Sequence, residues 1–458
     1  MKKNDIYTVE ITDMTNLGFG VAKIDGLVVF VSGAVTGDVA EVKIIKLQSS
    51  FAVARLLSIV KRSTLRLPEG EERCTVPHCT SCAYRAMTYE AELAEKSGTV
   101  RAAFAKEGLS HIDILPIIPS PKLAHYRNKA QYPVSQLSEG EYVIGFYKPK
   151  SHTVCEAASC PAAPAVFSDI IEEIRRHLVR YNIPAYNEAT GEGLIRHIYL
   201  RRGEVSREIL LTLVLTRRTL PHSDELCAGL TRLFPDVKGI LINVNDRATN
   251  VVLGDEYITL WGRDYIFDTL AGVRLKLTAP SFYQVNHGAA ELLYKKAREL
   301  AALSAGDTLL DLYSGVGSIG LSMAEDLGEL IGVEIVPSAV ECARENAEAN
   351  EIQSARFFVG DAAVTERLLD GAERALGRKI EPDVIVVDPP RAGCDERLLR
   401  FIAERAPQRI VYISCNPSTL ARDVRVLESL SYTAGGVTPV DLFPGTGHVE
   451  TIVCLRKQ

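Results

Sequence analysis

Two residues in this chain combine the type and the placement needed for covalent chemistry. Cys415 closes an apolar strand signal, RIVYISCNP, where Asn416-Pro417 turns the chain toward the next helix. The thiolate is the reactive form of cysteine, and a helix N-terminus stabilises it. A buried structural thiol is the commoner fate of a cytosolic cysteine. Cys415, however, shares its strand-end position with Glu334, Asp361 and Asp388. The second residue is Glu450, which opens the last strand signal, HVETIVCLR. If that strand runs antiparallel to its neighbours, its start lies on the edge where they end. Glu450 and Cys415 then face one pocket as candidate base and nucleophile.

A separate set of residues has the spacing of metal ligands. Cys74, Cys79 and Cys82 form C-x4-C-x2-C, and Cys160 follows much later in SCPAA. Four thiolates can hold a [4Fe–4S] cluster, and the same four can hold zinc. Cys155 is the rival fourth ligand.

The elements around the first pair read as a nucleotide-binding sheet. The strand TLLDLY leads into SGVGSIG, whose Gly315, Gly317 and Gly320 allow a tight turn and close approach of a ligand to bare backbone. A helix opening after this turn would point its amide groups at that ligand. The next strand, ELIGVEIV, carries Glu334, placed to accept hydrogen bonds from both ribose hydroxyls; ARFFVGD leads to Asp361, placed to reach an adenine amino group. The fourth strand runs into Asp388-Pro389-Pro390-Arg391. A dinucleotide would fit the first two features. The Asp-Pro-Pro turn instead resembles methyltransferases that present a planar base to S-adenosylmethionine (SAM).

Length and composition bound the rest. The chain has 458 residues, 47% hydrophobic and 24% charged, which suits a globular protein of two to four domains. Net charge is −6, so an RNA partner would require a local basic face. MKKNDIYTVEITD lacks the apolar core of a signal peptide, and no long apolar run suggests a membrane span. A cytoplasmic enzyme with no membrane association and no obligate protein partner is the expectation. Three segments emerge: 1–62, with short β-branched strands and glycine turns, as an OB-type barrel; 63–272, a mixed α+β region beginning with the cysteines and a helix from about Met87 to Lys106; and 273–458, alternating strand and helix signals, as a Rossmann-like α/β domain with a mostly parallel, seven-stranded sheet.

Taken together, QVN (Gln284–Asn286), DLYSGVGSIG, DPPR, SCNP and HVET resemble the RNA uracil-5 methyltransferases of the RumA/TrmA type. The likeness covers nearly the whole chain, and the first segment is similar to a TRAM domain, an RNA-binding module. The resemblance implies that Cys415 adds to carbon 6 of a uracil, that carbon 5 then takes a methyl group from SAM, and that Glu450 removes the carbon 5 proton. It also implies a SAM site lined by Gln284, Tyr313, Ser318, Glu334, Asp361 and Asp388. Family members often carry phenylalanine at the position of Tyr313 and asparagine at that of Ser318. An iron–sulfur cluster on Cys74, Cys79, Cys82 and Cys160 is implied because some members hold one there.

The expected partner is structured RNA. HYRNKAQYPV offers Tyr126, Arg127, Lys129 and Tyr132; GFYKPKSH offers Phe146, Tyr147, Lys148 and Lys150; LIRHIYLRRG offers Arg196, His197, Arg201 and Arg202. Cations hold phosphates and aromatics stack on unpaired bases. The TRAM-like segment and the cluster cysteines favour 23S ribosomal RNA over transfer RNA. Two other classes compete: an RNA-binding protein that keeps the fold without catalysis, and an amino-group methyltransferase that needs no cysteine.

Overall fold

The computed structural model describes residues 1–458 except 77, 78, 80, 149, 150, 363, 365 and 366. Lys150, one of the cations named above, therefore lies outside the described residues.

The N-terminal segment forms a six-stranded antiparallel and parallel sheet from Ile6–Glu10 to Phe51–Lys61. Its strands alternate buried and exposed residues, so Val29, Val31, Val42, Ile44 and Ala54 fill one small core. The hairpin between Phe19–Ile24 and Leu27–Ser32 turns on Asp25-Gly26, both with positive φ, which matches the right-handed twist of the paired strands.

The central sheet has seven strands, ordered Glu256–Gly262, Val237–Val244, Ile209–Leu215, Ile195–Arg202, Lys129–Ser138, Glu141–Tyr147, Val154–Glu156. Helices Ala165–Arg180 and Ser223–Leu233 are amphipathic and bury Phe167, Ile170, Ile174 and Leu230 against it.

In the C-terminal part, strands Ala355–Val359, Glu329–Glu334, Thr308–Leu312, Val384–Val387 and Arg409–Ser414 lie parallel in that order. Glu450–Lys457 then pairs antiparallel with Arg409–Ser414. The sheet has eight strands, a correction to the seven expected. The outer edge of the last long strand is shared by two short ones, Tyr432–Ala434 and Thr438–Val440. Between them, Gly435-Gly436 breaks the edge, and a Cβ on Gly436 would meet the Leu115 side chain at 2.9 Å.

Two elements lie across the expected divisions of the chain. Helix Tyr89–Lys106 packs Val100 and Phe104 into the same core as Ile331, Val387 and Leu420 of the C-terminal sheet. Residues 114–118 continue that association, with Leu115 N donating to Val437 O and Ile118 N to Pro439 O. The hairpin of Tyr265–Leu270 and Val273–Thr278 spans residue 272. No helix among the described residues is long and apolar enough to cross a membrane.

Candidate active site

The catalytic edge is built by register. Ser414 pairs with Thr451, so Cys415 and Glu450 are the next opposed positions as the two strands leave the ladder. Past Cys415, Asn416 caps helix Pro417–Ser429: its side chain accepts from Ser418 N at 3.1 Å, and Pro417 occupies the first turn. The same Asn416 side chain donates to Arg391 O at 3.0 Å, tying the Cys415 turn to the Asp-Pro-Pro-Arg turn. Cys415, Glu450, Asp388 and Arg391 thus form one electrostatic group.

The charges in this group oppose one another. Burial, then Glu450 and Asp388, push the Cys415 thiol above its ordinary value, while Arg391 pulls it down. The net direction is upward, against the lowered thiol expected beside a helix N-terminus. Glu450, 3% exposed, is raised well above the carboxylate range by burial and by Asp388, with Arg391 opposing. Asp388 is raised by burial to about 7. The charge on Asp388 thus disfavours ionisation of Glu450.

The nucleotide side of the edge is assembled around the glycine turn. Tyr313 has φ 65°, a strained conformation for a residue with a side chain. Its phenol is hydrogen-bonded to Cys394. Gly315 also has positive φ, and a Cβ there would meet open space, so the backbone faces a void. Glu334 ends its strand and accepts from Gly315 N at 3.1 Å and Val336 N at 2.9 Å. Asp361 lies two residues beyond strand Ala355–Val359 on the same edge. Ser318 shares a 2.8 Å hydrogen bond with Tyr294, whose phenol senses Asp388 and Glu450. Gln284 is buried, and its carbonyl accepts from Asn128 at 2.8 Å.

The helix expected after the glycine turn is only Ser318–Leu321, followed by a 3-10 turn at Ala324–Asp326. So short a helix has little macrodipole to offer an anion. Crowding at Gly320, where a Cβ would lie 2.7 Å from Leu330 and 2.9 Å from Asp311, holds the turn against the sheet instead.

The sequence reading missed three contributors. Arg391 stood within a quoted motif, but its opposing charge is visible only in space. Tyr294 sat at an ordinary position in helix His287–Ala301. Phe282, two residues before Gln284, is 63% exposed. An exposed phenylalanine beside QVN was the available signal.

The cysteine region converges as well. Cys74, Cys79 and Cys82 line a cavity of about 670 Å³, and Cys160 interacts electrostatically with Cys74 and Cys82. The Cys82 thiol hydrogen-bonds to Cys74, lowering Cys74 and raising Cys82; Arg85 also favours ionisation of Cys74. Cys155 donates to Phe146 O at 3.2 Å. Among the described residues, no three His, Cys, Asp or Glu side chains are gathered about a single ion position.

The anticipated RNA face is partly corrected. Arg196 is buried, donating to the carbonyls of Asn245, Arg247 and Thr249. Arg201 is fully buried on the carbonyls of Ala279 and Ser281. His197, Tyr126 and Tyr132 are buried too, and the Tyr126 hydroxyl donates to Pro444 O. Arg196, Arg201 and Tyr126 serve internal backbone carbonyls, a role that alternation alone does not distinguish from surface display. Arg127, Lys129, Lys148 and Arg202 remain half-exposed, and Tyr147 is exposed. Burial beside Arg201 and Arg127 lowers Lys129 to about 8.

Residues 88–458 match the model of the tRNA (uracil-5-)-methyltransferase family, and residues 2–57 match the TRAM domain. The chain is 39% identical over 456 residues to a protein of Oceanobacillus iheyensis named an uncharacterized RNA methyltransferase, covering 99% of this chain and 96% of that one. A protein of Clostridium acetobutylicum with the same description is 38% identical over 461 residues, covering 100% and 98%. Among solved structures, the Pyrococcus abyssi tRNA (uracil-54, C5)-methyltransferase in complex with S-adenosyl-L-homocysteine is similar, with TM-score 0.77, 26% identity and coverage of 98% and 100%. The chain belongs to the tRNA (uracil-5-)-methyltransferase family, and is a SAM-dependent RNA methyltransferase with an N-terminal TRAM domain.

Proposed function

We propose that this enzyme methylates carbon 5 of a uridine in 23S ribosomal RNA through a covalent adduct between Cys415 and carbon 6. The observation that carries the reading is the meeting of Cys415, Glu450, Asp388 and Arg391 at one edge of the sheet. Carbon 5 of uracil is a poor nucleophile. Addition of the Cys415 thiolate to carbon 6 makes the ring an enolate, nucleophilic at carbon 5. SAM, when bound, supplies an electrophilic methyl group. Glu450 then takes the carbon 5 proton, and the ring expels Cys415 as thiolate. A raised carboxyl makes the ionised Glu450 a stronger base than an ordinary glutamate. The reaction requires a uridine turned out of its stack, for which exposed Phe282 offers a resting face.

Gln284, Tyr313, Ser318, Glu334, Asp361 and Asp388 are the residues we assign to the SAM site, with Asp388 also near the uracil edge. Cys74, Cys79, Cys82 and Cys160 are assigned to a [4Fe–4S] cluster. The cavity lined by Cys74, Cys79 and Cys82, the electrostatic influence of Cys160 on Cys82 and of Cys74 on Cys160, and the engagement of Cys155 with Phe146 O support that set. A cluster there would brace the loops around it, since methyl transfer consumes no electrons. Zinc is the lesser alternative on the same thiols.

Transfer RNA is the second reading of the target. It is favoured by likeness over 98% of this chain to an enzyme whose stated substrate is a tRNA uracil. Mapping 5-methyluridine by mass spectrometry in 23S and transfer RNA from a deletion strain separates the two. Loss in 23S RNA supports the proposal, loss only in transfer RNA replaces the target, and loss in neither overturns uridine methylation.

A further inference from the structure

The loop from Asp441 to Val449 delivers Glu450 to the catalytic edge, and a buried cation grips it. Lys96, on helix Tyr89–Lys106, is 0% exposed. Its ammonium donates to Glu92 Oε1 at 2.7 Å, Asp441 Oδ1 at 2.6 Å and Phe443 O at 3.1 Å. Glu92 Oε1 also accepts from Gly445 N at 2.7 Å, so the loop is held at residues 441, 443 and 445 by one cluster. Its far side has no slack. A Cβ on Gly447 would fall 1.8 Å from Asn16 O of the TRAM domain, and Gly445 sits within ordinary contact distance of Cys82.

A charged group this deep is an expensive way to stabilise a protein, because apolar packing of equal volume does as well or better. What the ammonium adds is direction, with three acceptors fixed in space. The residue at the end of the loop is a candidate base that must reach a proton on carbon, a step intolerant of displacement. We propose that Lys96 is a positioning residue for Glu450: through Asp441, Phe443 and Glu92 it fixes the loop that sets the carboxylate against the uracil ring. This rests on the assignment of Glu450 as the base.

The test uses the full enzyme with an RNA substrate and SAM carrying a labelled methyl group. Lys96→Met removes the ammonium, and Asp441→Asn keeps shape while removing one charge, as insurance against misfolding of the first variant. Single-turnover reactions are followed on denaturing gels, which separate methylated RNA still joined to protein from released product. SAM affinity and melting temperature are measured alongside. The expected result is release slowed by about 10- to 100-fold, with methylated adduct accumulating and SAM affinity within about twofold of the parent. A purely structural role would lower the melting temperature and total activity without accumulating adduct, and that outcome overturns the proposal, as does release at the parental rate by both variants. Glu450→Gln is the reference. If it accumulates adduct and the Lys96 and Asp441 variants do not, the positioning role fails while the base assignment stands. If Glu450→Gln accumulates none, the base assignment fails and the inference with it.

Discussion

Thr451 and Ser414 face each other across the antiparallel pairing of Glu450–Lys457 with Arg409–Ser414, and the Thr451 hydroxyl donates to the Ser414 carbonyl at 2.9 Å. That contact locks the register one residue before Cys415 and one residue after Glu450. A slip of one residue would send these side chains to opposite faces. Thr451→Val keeps the branched shape but removes the hydroxyl. It should cost about 1 kcal/mol of stability and lower kcat more than it raises the KM for SAM. Chemical denaturation and steady-state kinetics check this, and an unchanged kcat would separate the bond from catalysis.

Arg391 is the cation that opposes two carboxylates at the nucleophile. Its removal should push the Cys415 thiol and Glu450 further up. Since the thiolate attacks, adduct formation rises with pH below the thiol's pKa, and in Arg391→Gln that rise should begin at higher pH. Adduct yield at short times, measured from pH 6 to 10, checks the displacement. A profile that coincides with the parent would remove Arg391 from this role.

The parts of the site that lie on one strand or turn were readable from residue order. Cys415 at a strand end, Glu450 at a strand start and the glycine turn at 315–320 all follow from local pattern and the edge rule for α/β sheets. What was not readable is set by packing between distant segments. Arg196 and Arg201 look like RNA-facing cations in sequence, yet both are enclosed and bonded to carbonyls in the loops that follow strands Val237–Val244 and Val273–Thr278. Lys96 reads as an ordinary surface lysine of a charged helix until the 441–449 loop closes over it. The split edge at Gly435-Gly436, which raised the strand number to eight, depends on the approach of Leu115 from another part of the chain.

Asp311 lies fully buried beneath the glycine turn, accepting from Gly320 N at 3.0 Å, and burial raises it to about 7. The folded state therefore holds a proton that the unfolded chain releases near pH 4. Stability from this group is greatest below about pH 4 and declines as pH rises to about 7, by an amount on the order of 4 kcal/mol. Asp311→Asn cannot ionise, so its stability should fall less steeply across that window. Asp388 and Glu450 keep their own share of the slope. Urea unfolding at several pH values checks the difference, and parallel curves for parent and variant would contradict it.

If the four-thiol site carries iron and sulfide, anaerobically purified enzyme should be brown and contain about four iron atoms per chain. Cys82→Ser should lose the colour and weaken folding or RNA binding ahead of SAM binding, because Cys82 backs the Gly445 turn. Metal analysis with visible spectroscopy decides it. A colourless protein loaded with zinc would replace the cluster with a structural zinc.

The central claim is that a sulfur and a carboxylate act in turn on one pyrimidine. RNA carrying 5-fluorouracil blocks the second action, since fluorine cannot leave as a proton does. Incubated with SAM, the enzyme should form a denaturation-stable, methylated RNA–protein complex whose linked peptide contains Cys415. Cys415→Ala should form none and methylate no normal RNA while still binding SAM. Methylation by Cys415→Ala, or a crosslink mapping to another residue, would contradict the account.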